Sequence, residues 1–462
     1  MTSRAAKRTP LKPLHLNRSD PYGNAKQLIG RYFVDGRRPT LVRYREEFYR
    51  YEGCIYRLIS REEFHSVLYD YLSKATTQLR SGIGPFYPNR RQIGETEEAL
   101  KALTQQPDDL VMPFWLHSGD ENPPASEYIP ARNGLIHWPS GELEPSSPTY
   151  FSTNCLDFDY DSAPPAPASW FNFLESLWGD DFETAETLQE VFGYLLSSDT
   201  SQQKIFLLIG PPRSGKGTIL RVLTKLVGPS NLVSPTINSL STNFGLAPLI
   251  GKKVATITDA RIGFKTDQSS VAERFLTVSG EDAITIDRKH KSAWTGRLLT
   301  RFVLATNELP QIPDASGALS SRFIILKLSR SFLGKEDSSL TDRLMPELPA
   351  ILFWALEGLK RLNERGHFKQ PAASRELLSD LEALGSPAKA FLAECCLVAP
   401  ENEIECKILY ASWRSWCEEN GLKAGSEQSL GKKLRAVLPS LETPQLRVGG
   451  EPTRKYRGIT LR

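Results

Sequence analysis

The sequence predicts an α/β protein in which a parallel sheet is covered by helices. Residues 205–209, IFLLI, form a short apolar run that leads directly into a glycine-rich loop and then into a helical stretch. Three further apolar segments follow at residues 253–259, 301–307 and 322–328, with helical segments and polar loops between them. Strands that are apolar throughout are typical of parallel sheets, because helices cover both faces of such sheets.

The glycine-rich loop, residues 210–218, reads GPPRSGKGT and matches the phosphate-binding pattern G-x-x-x-x-G-K. Gly210 and Gly215 allow a backbone turn that points several N–H groups at one anion, and the next helix adds its positive N-terminal end. Lys216 supplies a positive charge for the β- and γ-phosphates. The loop predicts a bound nucleotide, expected to be ATP, held by Gly210, Pro211, Pro212, Arg213, Ser214, Gly215, Lys216, Gly217 and Thr218.

One position departs from the usual loop. Gly217 follows the lysine where a Ser or Thr hydroxyl normally ligates Mg²⁺, and Thr218 comes one residue later. The letters GKGT also occur in nucleoside monophosphate kinases. The loop alone therefore does not distinguish a phosphotransferase from a motor.

The composition of the 462-residue chain is that of an ordinary soluble protein, with 40% hydrophobic residues, 24% charged residues and a formal net charge of +3. We expect a cytoplasmic protein without membrane contact, because no run approaches the roughly 18 apolar residues of a membrane helix and the basic N-terminus has no apolar core. The six cysteines show no metal-ligand spacing, so zinc is not predicted and reduced thiols are expected.

The chain divides by pattern into five parts. Residues 1–20 are predicted to be a basic disordered tail, 21–165 a mixed α+β region, 166–203 a helical lead-in, 204–370 the ATPase core and 386–462 a DNA-binding domain. In the second part, a hairpin turns at Glu52-Gly53 and a helix covers residues 61–75. Asp157-Phe158-Asp159 resembles the D-x-D of archaeo-eukaryotic primases, but no matching third acid and S-x-H follow, so a polymerising domain is not predicted.

Residues 386–462 read helix, strand, helix, helix and then a hairpin turning at Gly449-Gly450, which is the order of a winged helix. Between residues 428 and 462 there are eight basic side chains and two acidic ones. This excess suits the DNA backbone, although a solvated basic face is the alternative. The candidate DNA contacts are Lys432, Lys433, Arg435, Arg454 and Lys455.

In order, the core elements match an AAA+-like ATPase, and together they resemble the superfamily 3 helicases, in the phage and plasmid primase-helicase branch related to poxvirus primase-helicases. The resemblance is strongest over residues 170–328 and includes LQEVFGYLLSSDTSQQKIFLLIGPPRSGKGT. It implies a helicase module without a primase domain, acting as a homo-hexamer on single-stranded and forked DNA with a separate primase as a possible partner.

The resemblance also implies residue roles. Lys216 takes the triphosphate, Asp259 ends the Walker B strand, Asn307 positions the attacking water or senses the γ-phosphate, and Arg322 is an arginine finger for a neighbouring subunit. The segment SGEDAITIDRKHKSAWTG matches a hairpin that carries DNA contacts in the ring channel, here Lys289, His290 and Lys291.

Walker B departs from the family pattern, because Thr258-Asp259-Ala260 has one acid where two are usual. We expect Mg²⁺ to be held with few direct protein ligands, taken from Thr218, Thr258 and Asp259. Two other functions stay open: an ATP-switched initiator or loader that does not unwind DNA, which the single acid favours, and a nucleotide kinase, which GKGT favours.

Overall fold

The computed structural model describes residues 14–116, 122–258, 267–312, 317–448 and 451–462, and the chain divides into two compact units, Met1–Ala163 and Pro164–Arg462. Each unit has its own apolar core.

The first unit is built from small antiparallel sheets and three helices. Its helices are α1 (Pro21–Tyr32), α2 (Arg61–Ser73) and α3 (Arg90–Thr104). Its strands are β1 (Val34–Asp35), β2 (Arg38–Pro39), β3 (Leu41–Tyr44), β4 (Glu47–Glu52), β5 (Ile55–Ile59), β6 (Thr76–Leu79), β7 (Gly82–Pro85), β8 (Phe114–Trp115), β9 (Tyr128–Ala131), β10 (Gly134–His137), β11 (Glu142–Glu144) and β12 (Tyr150–Phe151).

Local sequence explains the start of α2 and its packing. The Ser60 hydroxyl accepts a hydrogen bond from the Glu63 N–H at 3.1 Å, which satisfies one of the free donors of the first turn. Phe64, Leu68 and Leu72 recur at helical spacing and are buried. The predicted hairpin before this helix is confirmed as β4 and β5, which pair antiparallel.

The predicted disordered tail is too long. Within residues 1–20, the described part begins at residue 14, and Leu16 is fully buried there. Its N–H donates to the Thr76 carbonyl at 2.8 Å, and Asp20 caps α1. The prediction of a tail is therefore wrong for residues 14–20. A single apolar residue such as Leu16 forms no periodic pattern, so the sequence did not indicate that this segment is ordered.

The second unit contains a parallel sheet, a layer of helices and a C-terminal α/β segment. Its helices are α4 (Ala168–Trp178), α5 (Phe182–Leu196), α6 (Lys216–Val227), α7 (Ile237–Leu240), α8 (Gln268–Ser279), α9 (Leu340–Leu344), α10 (Leu348–Arg365), α11 (Arg375–Gly385), α12 (Pro387–Cys395), α13 (Cys406–Glu419) and α14 (Glu427–Val437). Its strands are β13 (Ile205–Ile209), β14 (Leu232–Val233), β15 (Val254–Thr258), β16 (Ile284–Ile286), β17 (Trp294–Gly296), β18 (Arg301–Thr306), β19 (Phe323–Lys327), β20 (Cys396–Glu405), β21 (Gln445–Val448) and β22 (Glu451–Leu461).

The predicted parallel sheet is confirmed. Its strand order is β14-β15-β18-β13-β19, and all four neighbouring pairs are parallel. The residues of β13, β18 and all but the last of β15 are buried, as expected for strands covered on both faces. The two-residue edge strand β14 was not predicted, because a strand this short carries no periodic signal.

Two helices of the lead-in and the core pack closely. Gly193 on α5 lies so near α10 that a Cβ atom there would be 2.3 Å from the Ala355 carbonyl oxygen. In the same interface, the buried Glu190 carboxylate pairs with Arg361 at 2.9 Å and Arg365 at 2.5 Å. This contact fixes α5 against α10.

The C-terminal segment agrees with the predicted order of elements. Helix α12, strand β20, helices α13 and α14 and strands β21 and β22 follow one another, and the strands form an antiparallel sheet in the order β20-β22-β21. Trp413 and Leu434 belong to a separate buried cluster here. The predicted turn at Gly449-Gly450 lies outside the described residues.

Among the described residues, the helices are all too short or too polar to cross a lipid bilayer.

Candidate nucleotide-binding site

The loop of residues 210–218 follows β13 and leads into α6, as the sequence predicted. A Cβ atom at position 210 would lie 2.2 Å from the Leu328 carbonyl oxygen, so only glycine fits there. Gly215 has a φ of +96°, and a Cβ atom at this position would meet Leu177 at 2.7 Å. Gly210 is thus required by the close approach of the backbone at Leu328, and Gly215 by its backbone conformation.

Lys216 lies at the first position of α6, and its ammonium group is held by the loop itself. Its Nζ atom donates to the Gly210 carbonyl at 2.6 Å, the Pro211 carbonyl at 2.8 Å and the Ser214 hydroxyl at 3.0 Å. Partial burial lowers the pKa of this lysine, because removal from water disfavours the charged form. An anion in the loop would restore the favourable environment that burial removes.

Two further predicted site residues lie at the same edge of the sheet. Asn307 follows β18, whose last residue Thr306 pairs with Ile209 of β13. Thr258 ends β15 and pairs with Ala305 of β18. Because the carboxyl ends of parallel strands meet at one edge, both residues lie at the same edge as the glycine-rich loop, with β18 between the strand of Thr258 and β13. The predicted Asp259 comes next in the chain but lies outside the described residues.

A cavity of about 830 Å³ opens at this edge and is lined by the loop, by Asn307 and by residues of α4 and of the segment after β19. This volume is within the range of small-molecule sites. Its described lining carries five basic side chains and two acidic ones, Arg213, Lys216, Arg221, Lys335, Arg343, Glu336 and Asp337. The positive excess favours a polyanionic ligand.

The described residues fit direct Mg²⁺ binding poorly. The Thr218 hydroxyl accepts a hydrogen bond from Arg221 Nη2 at 2.9 Å, which places a positive charge beside the oxygen. Within the described part of the chain, three or more His, Cys, Asp or Glu side chains do not gather in any place that could hold a metal ion. This arrangement disfavours Thr218 as a metal ligand and leaves Thr258 and Asp259 as the remaining predicted ligands.

Sequence reasoning missed the residues that reach the cavity from the segment after β19. The Arg343 guanidinium forms an ion pair with the Asp337 carboxylate, and both side chains line the cavity. Hydrogen bonds from Arg343 and Ser339 lower the pKa of Asp337 to about 2. Asp337 lies more than 110 positions after the loop, so no local motif connects the two.

Arg322 lies at the opposite edge of the sheet. It directly precedes β19, whose first residue Phe323 pairs with Ile205, the first residue of β13. A strand of five residues spans about 16 Å, so the arginine is far from the loop of its own chain. Its Nη1 atom donates to the Leu276 carbonyl at 3.0 Å and the Ser279 hydroxyl at 2.8 Å, at the end of α8.

The predicted hairpin is present between α8 and β18. Strands β16 and β17 pair antiparallel with Ile284 opposite Gly296 and Ile286 opposite Trp294. Lys289, His290 and Lys291 lie in the connecting turn and are exposed, and His290 adopts a positive φ of 61°. A hairpin with three basic or titratable side chains at its tip is therefore part of the structure.

Comparison with known proteins gives two family matches. Residues 26–179 match a family model described as D5 N terminal like, and residues 208–322 match one described as Family of unknown function (DUF5906). Two structures described as apo forms of the NrS-1 C-terminal region are 12% identical to this chain, with TM-scores of 0.48 and 0.49. These alignments cover 95% and 96% of this chain and 100% and 99% of the other chains.

The match described as D5 N terminal like covers a third of the chain and supports the resemblance to phage primase-helicases at a coarse level.

The predicted DNA contacts of the C-terminal segment are not equivalent. Lys432 and Arg454 are exposed, whereas Lys433 lies over the Trp413 ring at 5.8 Å. Lys455 lies 3.7 Å from the carboxylate of Glu403 on β20. Glu403 precedes residues 428–462, the stretch with eight basic and two acidic side chains. Arg435 donates to the Thr443 hydroxyl at 3.2 Å. Exposure thus favours Lys432, Arg435 and Arg454 as contacts, and of these Arg435 already donates to a neighbouring side chain.

Proposed function

We propose that this chain is an ATP-dependent, ring-forming DNA helicase of superfamily 3 that serves replication of a phage, plasmid or integrated mobile element. The observation that carries the proposal is the position of Lys216 and Asn307 on one cavity, at the carboxyl edge of a sheet ordered β14-β15-β18-β13-β19. In this order β13, which leads into the glycine-rich loop, lies between β18, which ends before Asn307, and β19, which begins after Arg322. This arrangement supports an AAA+-like core.

ATP is the proposed cofactor of this cavity. Its phosphates would take the place of the loop oxygens around Lys216, and the first N–H groups of α6 would donate to them. Arg343 is a further proposed phosphate contact in the same chain, since it lines the cavity and its guanidinium pairs with the Asp337 carboxylate and donates to the Ser339 hydroxyl at 2.6 Å. Leaving that ion pair for a triphosphate would exchange one negative partner for a more highly charged one.

Mg²⁺ is the proposed metal, carried mainly by phosphate oxygens and water, with Asp259 and Thr258 as the protein groups near it. Bound there, it supplies charge neutralisation of the triphosphate. Asn307 is proposed to orient the attacking water, because its side chain lies at the end of the strand next to β13. Positioning and charge stabilisation account for most phosphoryl-transfer catalysis, so a sparse metal shell is compatible with hydrolysis.

Arg322 is proposed to act on ATP bound by a neighbouring copy. Its separation from its own loop, across the full length of the strands, supports action in trans. Within the described residues the hydrogen bonds of this guanidinium are made by Nη1, and Nε and Nη2 are proposed to bind a phosphate. A closed ring, with a hexamer as the proposed size, would place such an arginine at every interface.

DNA is proposed to bind at two places. The exposed turn with Lys289, His290 and Lys291 would contact phosphates in the channel of the ring, and residues 386–462 would bind DNA as a winged helix. The exposed Lys432 and Arg454 support the second contact.

The test compares ATP hydrolysis with and without single-stranded DNA, together with unwinding of a forked duplex. For Lys216→Ala we expect loss of turnover by about 1,000-fold with little change in melting temperature, because the lysine contacts only loop oxygens. Lys225→Ala, an exposed lysine on the same helix, is the matched control and should behave as wild type.

Each alternative function has its own signature in this test. A nucleotide kinase would transfer phosphate to a nucleotide and ignore DNA. An initiator or loader would hydrolyse ATP slowly and leave the fork paired. Full DNA-stimulated hydrolysis by Lys216→Ala would refute the nucleotide site itself.

A further inference from the structure

Two cysteines that are far apart in the sequence meet in the first unit. Cys54 lies in the turn between β4 and β5, and Cys155 follows β12, 101 positions later. Their Sγ atoms are 2.7 Å apart, and both side chains are half-buried. The thiols are therefore in contact and within reach of a small molecule in solution.

The backbone holds this meeting point without help from the sulfur atoms. The Tyr56 N–H donates to the Ser152 carbonyl at 2.8 Å, and the Tyr56 hydroxyl donates to the Pro148 carbonyl at 2.5 Å. The Tyr56 ring also packs on Phe151, with centroids 4.8 Å apart. A disulfide bond of about 2.05 Å would thus need the sulfur atoms to move by well under 1 Å.

The environment of this pair differs from that of the other cysteines. A hydrogen bond with Cys155 lowers the pKa of the Cys54 thiol, against the opposing effects of burial and of Asp157. Burial instead raises the pKa values of the remaining four, Cys395, Cys396, Cys406 and Cys417. Since the thiolate is the nucleophile in exchange reactions, Cys54 is the residue expected to react first.

We propose that Cys54 and Cys155 form a reversible disulfide when the protein meets a low-molecular-weight disulfide such as oxidised glutathione. The Cys54 thiolate attacks one sulfur of the oxidant, which forms a mixed disulfide and releases one glutathione thiolate. Cys155, after losing its proton to solvent, attacks the Cys54 sulfur and releases the second glutathione. Two protein thiols are oxidised and one glutathione disulfide is reduced to two thiols.

The cross-link would have a physical effect on the first unit. It would tie the β4–β5 turn to the segment after β12 and close a loop of about 100 residues. Closing a long loop lowers the conformational entropy of the unfolded chain more than closing a short loop does. The oxidised protein should therefore unfold at a higher temperature than the reduced protein. This proposal does not depend on the helicase activity.

The experiment incubates the full-length chain with oxidised glutathione, blocks remaining thiols with iodoacetamide under denaturing conditions and identifies linked peptides by mass spectrometry. We expect one intrachain Cys54–Cys155 link, loss of two of the six thiols and reversal by dithiothreitol. Cys155→Ser should stop the reaction at a stable glutathione adduct on Cys54. Cys395→Ser is the matched control and should cross-link as wild type does.

Other outcomes would overturn the proposal. These are links between chains in place of the intrachain link, a first adduct on Cys395, or six intact thiols after incubation with an excess of oxidant. Because these three outcomes are measured on the wild-type protein, a serine variant that folds poorly would not hide the answer.

Discussion

At the carboxyl edge of the parallel sheet the polar groups face an open cavity, whereas at its amino edge they face other parts of the chain. Lys216 and Asn307 border a space of about 830 Å³. At the other edge, Arg301 and Arg322 each precede or begin a strand and donate to oxygen atoms at the end of a helix. The first edge is thus suited to a ligand, and the second to stabilising contacts or to a neighbouring molecule.

The two arginines of the amino edge differ in a way that separates these roles. Arg301 is 4% exposed and donates to the Leu195, Ser197 and Asp199 carbonyls at the end of α5, at 2.7, 2.9 and 3.3 Å. Burial lowers its pKa, although its charge is retained because arginine stays protonated in proteins. Arg322 is half-buried and uses one nitrogen. A cation at a helix C-terminus stabilises the fold. Among the described residues Arg301 also leaves its Nε atom without a partner, but that atom is buried, whereas the half-buried Arg322 is more accessible to a phosphate.

The largest expected effect is on Arg322. In Arg322→Ala we expect ATP hydrolysis to fall by about 1,000-fold, the low end for an arginine finger, while nucleotide binding by the distant loop is kept. Mixing this variant with Lys216→Ala should restore part of the turnover at interfaces that join an intact loop to an intact finger. The measurement is ATPase rate against mixing ratio, with Arg375→Ala, an exposed arginine on α11, as the control. Absence of recovery in assemblies shown to be mixed would contradict action in trans.

Replacing Arg301 should lower the stability of the fold. Arg301→Met removes the donors of three carbonyls beneath α5, and we expect unfolding to become easier by about 3 kcal/mol. The measurement is the urea midpoint of the second unit, followed by tryptophan fluorescence. Arg375→Met, at an exposed position, should change the free energy of unfolding derived from this midpoint by less than about 0.5 kcal/mol. Equal midpoints for the two variants would mean that the buried guanidinium contributes nothing net to the fold.

These two arginines also show where sequence reasoning stops. The segments RFVLATN and RFIILKL share the same local pattern, an arginine and a phenylalanine before an apolar strand. Which arginine is buried depends on which helix end covers it, α5 for Arg301 and α8 for Arg322. That is decided by tertiary packing, so the strands could be predicted from the sequence but the difference between the arginines could not.

Other features could be predicted because they depend on residues that are close together in the sequence. The loop glycines, the helices α4 and α5 and the hairpin β16–β17 depend on residues within a few positions of one another, and their patterns can be read directly. Arg343 reaches the cavity, and Cys155 reaches Cys54, from more than 100 positions away in the sequence in each case. Sequence patterns of this kind carry no information about such contacts.

A variant of the β16–β17 hairpin tests whether the turn between these strands contacts DNA. Replacing Lys289, His290 and Lys291 with Ala should leave basal ATP hydrolysis and assembly unchanged, because these side chains are exposed. DNA stimulation and fork unwinding should both fall by about 10-fold or more, since neutralised phosphates account for much of the affinity for DNA. A double Ala variant at the exposed Lys225 and Lys369 removes two formal charges, as the hairpin variant does, and should unwind normally. Wild-type unwinding by the hairpin variant would exclude the hairpin as the moving contact.

The smallest expected effects concern the C-terminal segment, where the structure ranks side chains that the sequence treated alike. Lys432 and Arg454 are exposed, whereas Lys455 lies 3.7 Å from Glu403. Each phosphate contact that is lost lowers the slope of log affinity against log salt by about 0.9. We therefore expect Lys432→Ala/Arg454→Ala to lower the slope for duplex binding by nearly 2, and Lys455→Ala to lower it by well under 1, because a lysine already paired with a carboxylate releases fewer ions. The measurement is fluorescence anisotropy of a labelled duplex over a salt series. A larger loss for Lys455→Ala than for the double variant would show that DNA displaces Glu403 and that exposure does not identify the contacts.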